Sequence, residues 1–238
     1  MTDTEKLLVG AGIVGGLFLL SRGGTAPPAP GAPPAPGEEP LPELPVDTAG
    51  LSFGKVFTPE LAQAIVKAAD TLGFPPNWVA TAIAIERGTK GGTKLGKGIY
   101  HSYTDSDGVK HTGNFSYGLI GILPGTAKYL GTTPEALYNM SDVEQMEYFI
   151  KYFQKHGWDK DGKKPIQSFD EMYMGIFYGQ KGIDAGLYDV LISKAKDPKL
   201  YEANKQADIS TPPDGYIRKK EVLTLARKMY RAGVANAL

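Results

Sequence analysis

Thr81–Lys90 reads TAIAIERGTK. Thr81 to Ile85 has the composition of a buried helix. Glu86 then puts a carboxyl at the end of that run, and Arg87 and Gly88 close it. On a helix through Trp78–Arg87, Glu86 shares a face with Ile83, Ala82 and Val79, at i−3, i−4 and i−7. The carboxyl therefore hangs from an apolar stripe. Partial burial disfavours its charged form and raises its pKa. The negative end of the helix dipole lies nearby and acts in the same direction. A carboxylic acid that keeps its proton near neutral pH can give it to a leaving oxygen, as glycosidic cleavage requires. The plainer alternative is a glutamate whose head escapes to water at a helix end. These ten residues leave both readings open.

Upstream, Thr58-Pro59-Glu60 combines an N-cap, a first-turn proline and an acidic first turn, and predicts a helix to about Leu72 that Gly73 ends. Pro75-Pro76 open the helix that carries Glu86. Downstream, residues 88–116 are rich in Gly, Thr, Ser and Lys. Within them IYHSYTDSDGVKHT reads as a hairpin turned by Asp105-Ser106-Asp107-Gly108. Ser141-x-x-Glu144 and Ser168-x-x-Glu171 are capping boxes ahead of apolar runs. Segments around Pro198–Lys205 and Lys219–Ala235 also read as helical. Many helices around one small β element predict an α+β, mainly α domain over residues 51–238.

The first fifty residues differ in kind. Residues 7–20, LLVGAGIVGGLFLL, are uncharged and flanked by Lys6 and Arg22. As a helix, residues 7–21 would span about 22 Å at ~1.5 Å per residue. A bilayer core is about 30 Å thick, so a membrane anchor over residues 1–22 needs both flanking cations to snorkel. Gly12 and Gly16 form a G-x-x-x-G pair suited to helix self-association in a membrane. The rivals are a cleaved signal peptide, which the acidic MTDTEK leader disfavours, and a buried soluble helix, which four glycines disfavour. Nine of the 18 prolines fall between Pro27 and Pro45. Residues 23–50 thus read as a polyproline-type linker, whose centre could extend roughly 60 Å.

Net charge is zero, but residues 1–50 hold two basic and six acidic side chains, leaving 24 and 20 in the remainder. That surplus is too mild for nucleic-acid binding read by charge. The chain has no cysteine, so disulfides and thiolate sites are excluded. His101, His111 and His156 lack metal-ligand spacing; surface or turn roles are expected, with no metal and no cofactor.

SYGLIGILPGTAKYLG (Ser116–Gly131) resembles the signature of soluble-lytic-transglycosylase-like domains, matching at Gly118, Leu119, Ile120, Pro124, Thr126, Ala127, Leu130 and Gly131. TTPEALYNMSDVEQMEYFIKYF (Thr132–Phe153) and the later EMYMGIFYGQKGIDAG resemble phage-encoded members. The likeness runs from about Phe57 to the C-terminus. It implies a lysozyme-like fold, with a helical lobe, a small β element and a cleft between them. It further implies cleavage of the β-1,4 bond between N-acetylmuramic acid and N-acetylglucosamine in peptidoglycan. By that match Glu86 falls on the single catalytic glutamate. Ser116, Tyr117 and Gly118 would contact substrate, and Tyr178 would position Glu86 or the sugar.

Three positions depart from the pattern: Arg87 replaces a small serine, Gly121 a glutamine and Gly179 an asparagine. A second carboxylate, as many glycosidases use, would be Asp105 or Asp107, although a DSDG turn explains both. In the 193–238 extension, Gly215 can be aligned with the sixth place of a calcium loop. Ser210, Pro212, Asp214 and Glu221 then occupy its first, third, fifth and twelfth places. With two acidic ligands missing, turn-and-cap chemistry is the better reading. The expectation is a membrane-anchored, phage virion enzyme that degrades the host wall locally as the genome enters. A bacterial inner-membrane enzyme facing the periplasm, a hydrolytic lysozyme and a non-catalytic wall-binding module are the alternatives.

Overall fold

The computed structural model describes residues 41, 44, 50–90, 94–95, 102–104, 110–112 and 118–235. The expected anchor and most of the linker lie outside these residues. No helix among the described residues is long and apolar enough to cross a membrane.

Local sequence signals set most helix bounds. α1 is Pro59–Leu72; the Thr58 side chain accepts a hydrogen bond from the Leu61 N–H, and Gly73 ends the helix. α2 is Pro76–Arg87. α3 (Pro124–Leu130) and α4 (Pro134–Asn139) are short and each begins on proline. α5 (Asp142–His156) opens on a complete capping box of Ser141 and Glu144. α6 (Phe169–Asp184) opens on Ser168, which accepts from the Glu171 N–H. There the second half of the expected box slips by one residue: Glu171 accepts from the Gln167 N–H, at 2.7 Å. α7 is Pro198–Asn204 and α8 is Lys219–Ala235.

Strands are more numerous than the single expected hairpin, giving three two-stranded antiparallel pieces among the described residues. β1 (Thr89–Lys90) pairs with β2 (Lys94–Leu95). β3 (Ser102–Thr104) pairs with β4 (Lys110–Thr112) in the register Tyr103 to His111, which is the expected hairpin. Its DSDG turn lies outside the described residues. β5 (Val190–Ser193) pairs with β6 (Tyr216–Arg218) across an intervening helix. A ribbon closed over that separation has no local turn signal, so the chain read on its own shows nothing of it. The architecture is α+β, mainly α, as expected.

α2 is the helix around which the others pack. Asn77 and every residue from Val79 to Glu86 are buried. α1, α6 and α8 all contact it, and α1 also lies along α5. One apolar core draws on all of these elements, including Leu191, Ile192, Ile217, Val222, Leu223, Ala226 and Tyr230 from the C-terminal segment. That segment is therefore an integral wall of the domain and not an appended extension. Arg227 of α8 clamps Asp170 of α6 through two hydrogen bonds of 2.8 and 2.6 Å. Lys219 donates to the carbonyls of Ile183 and Ala185 at the end of α6, where a cation complements the helix dipole. Within the expected linker, Leu41 and Leu44 are half-buried against the core.

Phe53, 5% exposed, locks α8 in place. A Cβ on Gly233 would lie 2.4 Å from its ring. Gly→Ala in a helix interior normally gains about 1 kcal/mol, whereas overpacking costs about 1–3 kcal/mol. The clash should win: Gly233→Ala is expected to lower Tm by about 2–6 °C. An unchanged or raised Tm in calorimetry would show that α8 does not sit this close to Phe53.

Candidate active site

Glu86 occupies the last turn of α2 and is 6% exposed. The apolar stripe anticipated for this helix is an understatement, because α2 is enclosed almost all round. The side chain does not escape to water at the helix end. Its Oε1 accepts a hydrogen bond from the Tyr173 hydroxyl of α6 at 3.2 Å. Its Oε2 is buried without a hydrogen-bond partner. Burial drives the carboxyl pKa up to about 8, and the Tyr173 hydrogen bond only partly opposes this. Ionising Glu86 in place therefore costs on the order of 5 kcal/mol more than in water. At neutral pH the group is a neutral acid.

Two tyrosines respond to that carboxyl. Burial and the nearby Glu86 push the Tyr173 phenol well above its usual range. Tyr152 of α5 is raised by the same two causes, in the same order. Both stay protonated, so the Tyr173 hydroxyl keeps the proton that it donates to Glu86. Tyr152 donates to the Gly175 carbonyl at 2.7 Å, tying α5 to α6 beside the site. Tyr173 is itself held in a ladder of rings on α6, between Phe169 at 6.1 Å and Phe177 at 6.4 Å.

Tyr152 also lines a small recess of about 10 Å³, room for a single water, together with Ile120, Gly121, Ile122, Leu123, Thr126 and Ile176. The GLIGILPGTA stretch thus forms one wall, and Tyr152, close enough to Glu86 to feel its charge, lines the recess with it. Gly118, at the start of the stretch, is half-buried. A Cβ there would come within 2.9 Å of the buried Gln145 Oε1. Gly121 presents no side chain to the recess, where the family pattern has an amide.

The expected constellation assembles only in part. Ser116, Tyr117, Asp105 and Asp107 lie outside the described residues. Tyr178 is half-buried, and burial, with the neighbouring Asp197, raises its pKa. The hydroxyl that meets Glu86 comes from Tyr173, one helical turn and a half earlier. The break at Gly179 comes directly after Tyr178 and divides the Phe169–Tyr178 run from the end of α6: φ 65° and ψ −156° there are not helical. Only glycine adopts that region readily, which gives a backbone reason for the departure from asparagine. Arg87 turns to α5, donating from Nη1 to Asp142 Oδ1 at 3.0 Å.

Sequence reasoning overlooked Tyr173 and Tyr152, although a signal existed. Phe169, Tyr173 and Phe177 recur at i, i+4 and i+8, so the Tyr173 hydroxyl falls inside an apolar stripe and needs a buried partner. His156 also differs from expectation. It is half-buried, stacked on Trp158 at 4.4 Å, with Nδ1 2.7 Å from the Tyr152 carbonyl. His111 lies on β4, and His101 is outside the described residues.

The calcium-like turn before α8 is filled by its own side chains. Asp208 accepts from the hydroxyls of Tyr201 and Ser210 and from the Gly215 N–H. Asp214 pairs with Arg218 at 2.7 Å, and Glu221 accepts from the Arg218 N–H at 2.8 Å. Among the described residues no group of three or more His, Asp or Glu could hold a metal ion. This is the turn-and-cap chemistry that the missing ligands implied.

Compared with known protein families, with curated proteins and with solved structures, the chain finds no match.

A test of the burial of Glu86 follows from linkage. The folded state holds the Glu86 proton up to about pH 8, while the unfolded chain releases it near the ordinary glutamate value of about 4.3. Stability from this group is therefore fully present below that lower value and is lost as pH rises towards 8. Glu86→Gln, which cannot ionise, should match the wild-type Tm at pH 4 and exceed it by a widening margin up to pH 8. Equal pH dependence of the two proteins would mean that Glu86 is solvated.

Proposed function

We propose that this chain is a peptidoglycan-cleaving enzyme of the lytic-transglycosylase kind, built on a lysozyme-like domain, with Glu86 as its acid. The observation that carries the reading is the Glu86 carboxyl itself: buried, neutral at physiological pH, hydrogen-bonded by Tyr173, and close enough to influence Tyr152, which lines a small recess with the stretch that resembles the transglycosylase signature. An acid of this kind protonates the glycosidic oxygen as the bond to the muramic acid C1 breaks. The resulting carboxylate, costly in this interior, then takes a proton from the incoming nucleophile and returns to the neutral form. In a transglycosylase that nucleophile is the 6-hydroxyl of the same sugar, giving a 1,6-anhydro product; in a lysozyme it is water. Burial, partly opposed by the Tyr173 hydrogen bond, accounts for the state of Glu86, and the resemblance of Ser116–Gly131 to the transglycosylase signature favours the intramolecular route. The membrane-anchored, virion setting is carried by residues 1–50 and by the phage-like segments of the sequence. The apolar run would span a bilayer with Lys6 and Arg22 snorkelling, and the proline-rich stretch would hold the domain some way from it. The bacterial alternative, an inner-membrane enzyme with its domain in the periplasm, uses the same parts.

A specific observation favours a second reading, a non-catalytic wall-binding module. Oε2 of Glu86 is sealed, so substrate reaches it only if a neighbour moves, and Gly121 withdraws a polar side chain from the recess. Zymography on peptidoglycan gels separates the two. The enzyme reading expects clearing by the wild type and at least a hundredfold less by Glu86→Gln, the usual scale of general acid catalysis being about 10²–10⁴. Equal clearing by both removes Glu86 from the chemistry, and no clearing by either favours the binding module. Mass spectrometry of released muropeptides should show anhydro ends, which lack one water relative to the reducing ends left by hydrolysis.

A further inference from the structure

Arg87 follows Glu86 directly, and its side chain is only 9% exposed. A cation within about 4–6 Å of a carboxyl typically lowers its pKa by about 1–3. This neighbour would therefore strip the acid of its proton if it turned towards it. Instead the guanidinium reaches across to α5, where Nη1 donates to Asp142 Oδ1 at 3.0 Å. Asp142 is the first residue of α5, beside a fixed point. The Ser141 N–H and hydroxyl both donate to the Glu144 carboxylate, and the Ser141 hydroxyl accepts from the Glu144 N–H. The first turn that presents Asp142 is thus anchored independently of Arg87.

We propose that Asp142 is a positioning residue for the acid: it draws the Arg87 guanidinium to the start of α5 and so lets Glu86 keep its proton. The inference rests on the reading of Glu86 as the catalytic acid and supplies the electrostatic condition for it. The other groups around Glu86 do not perform this task. From α6 the Tyr173 hydroxyl faces the carboxyl, and from α5 Tyr152 lies close enough to feel its charge. Both are neutral. Arg227 of α8, which packs on α2, is bonded to Asp170. The buried face of α1 is apolar: Leu61, Ile65, Ala68, Ala69 and Leu72. Arg87 is the cation next to Glu86 in the chain, and its pair with Asp142 holds the guanidinium at the start of α5. The departure from serine at 87 is thus matched by an acid 55 residues later.

The test is direct titration of Glu86 in the full-length protein by carboxyl-selective carbon-13 NMR, with Glu86→Gln identifying its resonance. Asp142 is 37% exposed, so Asp142→Asn should fold, and melting curves of each variant check that it does. In Asp142→Asn the Glu86 midpoint should fall by about one pH unit or more. In the Arg87→Gln/Asp142→Asn pair it should return to the wild-type value, because the cation is gone. An unmoved midpoint in Asp142→Asn, or a fall that persists in the double variant, overturns the proposal. The clearing assay gives a second readout. The basic limb of the pH profile should move down with the midpoint in Asp142→Asn, whereas a loss uniform across pH marks a merely structural role and counts against it. Wild-type protein that clears no peptidoglycan sinks the catalytic reading, while the titration still decides what Asp142 does.

Discussion

The removal of one carboxyl from water is the constraint around which this domain is organised. Glu86 is neutral because α2 is enclosed by α1, α6 and α8, so that no side of the helix supplies solvation. Such a group is costly to ionise and leaves one oxygen unsatisfied. A side chain kept at that expense in the middle of a core is more economically explained by chemistry than by stability. Tyr173 eases the strain at the other oxygen while adding no charge. The aromatic ladder on α6 and the Tyr152 link between α5 and α6 hold that donor in place.

What could be read from the chain alone was whatever depends on near neighbours. Thr58 and Pro59, the Ser141–Glu144 box and Ser168 mark helix starts through contacts three or four residues apart, and the helices begin there. The burial of Glu86 was legible for the same reason, since Val79, Ala82 and Ile83 lie on its own helix. Tyr173 was not assigned to it because the bond spans 87 residues. No periodicity in one segment says which distant segment will face it. The β5–β6 ribbon was missed for the same cause, its strands being separated by a helix and a long turn. Sequence matching gave Tyr178 a place beside Glu86 or the sugar; the hydroxyl that meets Glu86 is that of Tyr173, and the backbone break at Gly179 is local geometry that a motif alignment does not carry.

Electrostatics at long sequence separation shapes the site as much as packing does. Arg87 and Asp142, Arg227 and Asp170, and Lys219 with the end of α6 each join elements that only meet in the folded chain. The partners are partly screened from solvent, a setting in which such pairs matter more than on an open surface. Two of the three bind α8 to α6, the helix that supplies Tyr173.

That dependence on α8 has a temporal side. Of these helices, a chain emerging from the ribosome presents α1 and α2 before the others and Lys219–Ala235 after them. The apolar faces of α2 and α6 that α8 covers stay wet until α8 itself has emerged. The interior that keeps Glu86 protonated is therefore assembled late, and a product cut short before α8 is left without one of its walls. The maturation of the acid is timed by the order of the gene.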